Sequence, residues 1–452
     1  METMVAAAEN LGVYLESFEA LGGRIAGRVA GNRTGNEPAW LKQRRETGMQ
    51  RFSELGIPTV HDEDWKYTSL ATVARKDFRL AGPATRVISP DQIGSVGFNE
   101  IEGCRLVFVN GRFSADLSRL EATPKGVVAG RLGDNLGNES VEAHLGRLAD
   151  SQDHALAALN TAFIEDGAFV QIPDRAVVEK PIHLVFVTLA EEANQVCHPR
   201  TLIVAGRDSQ ATVIETYIGM GESYWTNAVT EVVTGENARL DHYKLQQEHV
   251  RALHTGFTYA HQARDSRFAS NSLSFGGQLV RSDTEVRLNG EGCECVLNGL
   301  YAVTGHQHID HHTIIDHAMP HCNSHQLYRG ILDGHSSGVF NGKVIVRQDA
   351  QKTDAKQSNK NLLLSRDAEI NTKPQLEIDA NDVRCTHGAT VGQIDDEAMF
   401  YLQSRGISRH DARSLLTYAF AADIIESLNV APLREPLEQV LLNWVEQAEV
   451  IA

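Results

Sequence analysis

Gly206-Arg207-Asp208-Ser209, Gly235-Glu236-Asn237-Ala238 and Ala263-Arg264-Asp265-Ser266 are three versions of one turn, with Asp208, Asn237 and Asp265 spaced 29 and 28 residues apart. Each is followed by a new strand pattern and none by a helical one. Looser copies stand at Gly290-Glu291-Gly292-Cys293, Gly334-His335-Ser336-Ser337 and Arg366-Asp367-Ala368. Around them, apolar and polar residues alternate: Val344 and Val346 lie among Lys343, Ile345 and Arg347, and Leu376 and Ile378 among Gln375, Glu377 and Asp379. Period 2 is the mark of a strand. Turns at a near-constant interval without intervening helices predict a stacked β solenoid rather than a βαβ fold. The spacing drifts after the third turn, which leaves a sandwich or barrel as the alternative.

Outward from this core the character changes on both sides. Residues 1–165 read as a mostly helical N-terminal domain, 166–392 as the β core and 393–452 as a C-terminal helical domain. Pro38 opens one helix that runs toward Gly56. Asn110-Gly111 after Val107, Phe108 and Val109 predicts a hairpin over 105–113. In the tail, Asp395-Asp396-Glu397 sets a helix start, and Ser408 with Asp411 resembles a capping box. Leu416, Phe420, Ile424 and Leu428 form one apolar stripe, and Leu437, Leu441 and Trp444 a second. Two short helices cannot hide both stripes on each other, so they are expected to dock on the β body or on a partner. The tail holds ten acids and four arginines, net −6, which suits a basic partner groove.

The whole chain has 452 residues and 42 Lys+Arg against 59 Asp+Glu, hence 42 − 59 = −17. That balance argues against nucleic-acid and anionic-membrane partners. No apolar run approaches the ~20 residues of a membrane helix. Acids near the start argue against a secretory signal, and six cysteines form no disulfide framework, so a cytoplasmic location is expected.

Nineteen histidines are unevenly spread: His306, His308, His311, His312, His317, His321, His325 and His335 fall within thirty residues. On a strand, His306 and His308 would point the same way, like two ligands of one metal. A histidine-rich metal-dependent enzyme on a β scaffold is therefore one reading, although a cupin-like site would need a Glu soon after and none occurs before Glu369. The other reading is a row of imidazoles stacked on one face and bonded to each other. A second candidate is Cys385 with His387, which alternate onto one strand face where the β region ends. Thiolate and imidazole suit iron or zinc, but two ligands cannot close a site and a partner would supply the rest. A buried Cys beside a satisfied His is the alternative. Cys293 and Cys295 read as packing residues. Gly338–Lys343 fails as a phosphate-binding loop, and neither GxSxG nor GxGxxG occurs.

Several stretches resemble the SufB/SufD family of iron–sulfur cluster assembly proteins. They are Asp62-Glu63-Asp64-Trp65-Lys66-Tyr67-Thr68, Asp310-His311-His312-Thr313, Leu327-Tyr328-Arg329-Gly330-Ile331-Leu332, Phe340-Asn341-Gly342-Lys343, Asn371-Thr372-Lys373-Pro374-Gln375-Leu376-Glu377-Ile378, Asp382–Gly392 and Phe400–Ile407. His387-Gly388-Ala389 is similar to the SufD branch; His61, before the acids, departs from a basic residue common in relatives. The resemblance implies a mainly β fold, a right-handed parallel β-helix flanked by N- and C-terminal helical domains. It implies a non-catalytic subunit that pairs with a SufB-like subunit through the β-helix and docks a SufC-like ABC ATPase through C-terminal helices. Phe400, Tyr401, Arg405, Leu416, Phe420 and Ile424 are the docking candidates. His387, with Cys385 in the same motif, is placed by the resemblance at the SufB interface, where His387 would transiently hold a nascent iron–sulfur cluster with a cysteine of the partner; Cys385 is given no essential role. No cofactor is expected to stay bound to the chain alone. A homodimer in isolation follows if the end edges of the β-helix pair with a second copy.

Overall fold

A computed structural model describes residues 11–23, 25, 37–96, 101–120, 123–149, 154–221 and 223–451. The chain is mainly β, a parallel solenoid of about eight turns with helices at both ends. Strands alternate between a ten-stranded and an eleven-stranded sheet, so each full turn of chain lays one strand on each. The turn repeat is the cause. Asp208, Asn237 and Asp265 all take positive φ, at 57°, 54° and 56°, a conformation that Asn and Asp tolerate because their short side chains bond locally. The amide of each donates to the turn above: Asp208 to the Glu236 carbonyl at 2.9 Å, Asn237 to Arg264 at 2.9 Å, Asp265 to Glu291 at 2.8 Å. The next residue often closes the turn from within, as where Ser209 Oγ and Ser266 Oγ each donate at 2.6 Å to the carbonyl three residues back.

The column continues through Gly292, His321 and Lys352, at φ of 72°, 59° and 64°. Neither His321 nor Lys352 looks like a left-handed residue in sequence, and this is why the spacing seemed to drift. The turn is held there by its stacked neighbours, His321 N donating to Gln351 O and Lys352 N to Asp382 O.

Side chains on alternate positions fill the lumen or face outward. The lumen holds Val213, Leu240, Phe268, Leu297, Tyr301, Tyr328 and Phe340 in one apolar cluster. Glycine makes room for the rings: a Cβ on Gly299 would lie 2.2 Å from Tyr328, and one on Gly330 would lie 2.3 Å from Tyr301. Polar groups also enter the lumen, several of them in bonded sets. Thr230 Oγ1 donates to Glu215 at 2.9 and 3.0 Å, and His242 Nε2 lies 3.3 Å from the same carboxylate.

The predicted hairpin is present, with Phe108 opposite Phe113 and Val109 opposite Arg112. Its first strand, Cys104–Val109, also pairs in parallel with Ile182–Ala190, and Val128–Arg131 pairs with Ala168–Ile172. The strands of the two sheets therefore begin well before residue 166. The predicted helix is Ala39–Leu55, with Pro38 at its N-cap and Gly56 at its C-cap, and part of the helical reading of the first sixty residues lies outside the described residues.

The C-terminal helices Asp396–Ser404, Arg409–Glu426 and Ala431–Ile451 follow the last strand. Ile424, Ile425, Leu428, Leu441 and Trp444 pack against Tyr243, Leu245, Leu273, Leu300 and Ile331 on the outer face of the ten-stranded sheet. Both apolar stripes thus find their cover inside the chain. Arg413 Nη2 binds Asp333 at 2.7 Å and Arg329 binds Asp423, adding charged clamps between helix and solenoid. Of the docking candidates here, Ile424 is 0% exposed and turned to the solenoid, and Phe420 and Leu416 are half-buried, with the Arg329 guanidinium over the Phe420 ring.

Candidate functional site

Among the described residues, the solenoid ends in two strands that have a neighbour on one side only. Glu369–Ile378 closes the eleven-stranded sheet and Arg384–Gly392 the ten-stranded one. The two edges are not alike. Glu369 N donates inward to Ser336 O. In a parallel ladder alternate residues turn both backbone groups to the same neighbour, so the even-numbered residues face the open side. Pro374 is one of them; its missing N–H costs no ladder bond and removes a donor from the exposed edge. On the other strand Arg384 N donates inward to Thr353 O, which turns the backbone of Cys385, His387, Ala389 and Val391 to the open side. No proline interrupts it.

His387 stands on this strand, in register with Gln357 of the strand beneath, and its side chain is exposed. Cys385, half-buried, packs against Val344, Val346 and Ala355 in the lumen, and burial raises its thiol pKa. By alternation His387 shares that lumen-facing side. The structure thus places the Cys385–His387 pair on one face at an open end, as the strand period predicts, the sulfur turned inward and the imidazole accessible. Phe400 and Tyr401 are 73% and 57% exposed on the first C-terminal helix, and Arg405 lies over the Tyr401 ring at 5.2 Å.

The histidine window is taken apart by the fold. His306 stacks on His335 with ring centroids 5.1 Å apart, whereas His308 bonds Thr68 Oγ1 at 2.8 Å and Ser337 Oγ at 2.7 Å. The two therefore do not act as a ligand pair. His311 stacks on Tyr301 in the lumen, and His317 Nε2 meets Ser324 Oγ at 2.9 Å. Burial lowers these two to about 3 and about 4, so both are neutral near pH 7. Among the described residues, no group of three or more His, Cys, Asp or Glu is placed to hold a metal ion. Cys293 and Cys295 are both buried, and burial pushes the Cys295 thiol far up.

Asp62–Thr68, hard to assign from sequence, is a strap across the eleven-stranded sheet. Arg281 Nη1 donates to the Asp64 carbonyl at 2.7 Å, its guanidinium lies 4.5 Å from the Trp65 ring, and Thr68 Oγ1 bonds Asp310. The acidic residues join in through Glu63, 2.8 Å from Lys373 Nζ.

The family model described as the SufBD protein N-terminal region matches residues 33–184, and that described as the SufBD core domain of SUF system FeS cluster assembly matches residues 186–420. The chain belongs to the SufBD family. It is 34% identical to the iron–sulfur cluster assembly protein SufD of Escherichia coli over 86% of this chain and 89% of that one. A SufBD family protein of Synechocystis is also 34% identical, over 90% of this chain and 91% of the relative. SufD of Bacillus subtilis is 28% identical over 91% and 95%. Both halves of this SufBD chain are therefore covered, including the strap, the terminal strands and most of the helix Arg409–Glu426. Among the described residues no helix is long and apolar enough to cross a membrane.

Proposed function

We propose that this SufBD protein is a non-catalytic subunit of an iron–sulfur cluster assembly scaffold. The observation that carries the reading is the open terminal strand Arg384–Gly392, unblunted by proline, with His387 accessible on its lumen side. A SufB-like subunit would add its own terminal strand to this edge, where main-chain bonds give affinity and side chains give selectivity. His387 would then face the partner and, with a thiolate from it, transiently hold the nascent cluster as cargo; imidazole and thiolate are fitting iron ligands. Cys385, turned into the apolar lumen, supports the strand rather than the cargo.

A SufC-like ABC ATPase would dock on the exposed part of the C-terminal helices, at Phe400, Tyr401 and Arg405. Closure of the ATPase on nucleotide would pull on these helices, which are clamped to the solenoid through Arg329 and Arg413, and shear the scaffold interface. Co-expression with SufB-like and SufC-like partners, followed by intact-complex mass measurement, tests the assembly. A stable complex containing all three subunits is expected, and a chain that remains alone or forms only a homodimer overturns the reading.

A further inference from the structure

Gln357 lies next to His387 in the parallel ladder, their Cα atoms in register on strands about 4.8 Å apart. Both belong to the lumen-facing rows, since Ala355 and Cys385, two residues earlier on each strand, pack in one apolar cluster. Gln357 is 4% exposed, so its amide has left water and each polar atom needs a partner. The amide is oriented from beneath. Its Nε2 donates to Gln326 Oε1 at 2.8 Å, and Gln326 Nε2 donates in turn to Thr313 Oγ1 at 2.5 Å. In this arrangement Gln357 Oε1 is buried with no hydrogen-bond partner among the described residues. The facing sheet makes room for the arrangement: a Cβ on Gly342 would lie 2.1 Å from Gln357 Nε2 and 2.9 Å from its Cδ. An apolar side chain of the same length would fill the space without orphaning an oxygen, and leaving one unmatched costs about 1–3 kcal/mol.

We infer that Gln357 is a positioning residue for His387, its Oε1 accepting the ring N–H when the imidazole turns over the lumen. A neutral imidazole has one donor and one acceptor nitrogen. A fixed acceptor in the lumen wall selects the tautomer whose lone pair points out of the open end, toward the partner. Histidines that bind metal commonly donate their other N–H to a carbonyl or carboxylate in this way. The inference rests on the reading of His387 as a cluster ligand, but the hydrogen bond belongs to this chain alone and can be tested without metal.

The test is the tautomer of His387 in the full-length chain, labelled with 15N-histidine, read from its ring nitrogen shifts at about pH 8, where an ordinary imidazole is neutral. His387→Gln identifies its signals. In the native chain one tautomer is expected to dominate. Gln357→Met, which keeps length and removes the acceptor, is expected to shift the ratio about fivefold, equivalent to about 1 kcal/mol of net hydrogen bond. Gln357→Glu, which keeps an acceptor, is expected to hold the native tautomer. Gly342→Ala, which displaces the amide without removing it, is expected to behave like Gln357→Met and stands in for it if that chain does not fold. An unchanged ratio in a folded Gln357→Met or Gly342→Ala chain overturns the inference. Normal cluster yield from His387→Ala would instead remove the ligand reading and leave the tautomer result standing.

Discussion

Arg281 donates to the Asp310 carboxylate at 2.7 Å on the neighbouring strand, and both side chains are almost wholly buried beneath the strap that carries Trp65. The same guanidinium grips both oxygens of Asp283 at 2.7 and 2.8 Å. One arginine thus gathers two carboxylates, an indole and a backbone carbonyl, joining the N-terminal segment to the solenoid.

Removing that arginine deprives the buried Asp310 and the half-buried Asp283 of their shared guanidinium. Arg281→Met is expected to cost about 3–5 kcal/mol, the range for breaking a buried pair, seen as a lower midpoint in thermal or denaturant unfolding. The strap should release first, so limited proteolysis near Asp62–Thr68 is expected to accelerate. Unchanged stability would contradict the role given to Arg281.

The same cluster sets an acid sensitivity. Burial alone would raise the Asp310 carboxyl, but Arg281, His312 and Thr68 outweigh it and hold the group well below its ordinary range. A group depressed on folding contributes stability that is complete above the unfolded value, about 3.9, and is lost as pH falls below it. Stability is therefore expected to fall as pH drops below about 4, and Asp310→Asn is expected to flatten that part of the curve. Equal acid slopes in the two chains would refute the assignment.

At the open end, alternation puts the Ala389 amide on the unpaired side of the strand. Ala389→Pro should cost no bond within the sheet, so the chain should fold with near-native stability while partner pairing is lost. Pulldown with the SufB-like subunit checks this, and undiminished pairing would show that the interface lies elsewhere.

His387→Ala is expected to leave the complex assembled, because the side chain is exposed and contributes no packing, yet to impair cluster formation followed by visible absorbance during reconstitution. A native yield would remove His387 from the site.

The C-terminal residues separate into two classes. Ile424→Asp puts a charge into an apolar interface and is expected to undock the helices, costing more than about 3 kcal/mol. Phe400→Ala and Tyr401→Ala touch exposed side chains, so stability should change by no more than about 0.5 kcal/mol while binding of the SufC-like ATPase weakens. Circular dichroism and pulldown on the same samples distinguish the two, and loss of binding only in the Ile424 variant would move the docking surface away from Phe400 and Tyr401.

Much of this was legible in the chain itself. Asp208, Asn237 and Asp265 announce the solenoid because a left-handed turn restricts which residues can stand there, and Asn110-Gly111 announces its hairpin for the same reason. Cys385 and His387 share a strand face by simple period. His321 and Lys352 were not legible as turns, since their backbone is held by hydrogen bonds from the next coil rather than by their own preference. The histidine window misled because proximity in sequence is not convergence in space: alternate strand positions point to opposite sides, so His308 meets the strap and His311 the lumen. The helical stripe Leu416–Leu428 was legible as apolar, but its spacing does not name the surface that covers it, whether the solenoid or a partner.

Local rules acting within a few residues, the turns, the strand period and the helix caps, therefore favoured a solenoid with flanking helices over a sandwich or barrel from the sequence alone. Tertiary structure decided which side chains are available. Thr68 came to lie against Asp310, Arg281 beneath Trp65, and Gln357 in register with His387, because stacking coils bring distant residues one strand spacing apart. Burial then sets the worth of each contact, and burial is a property of the closed fold.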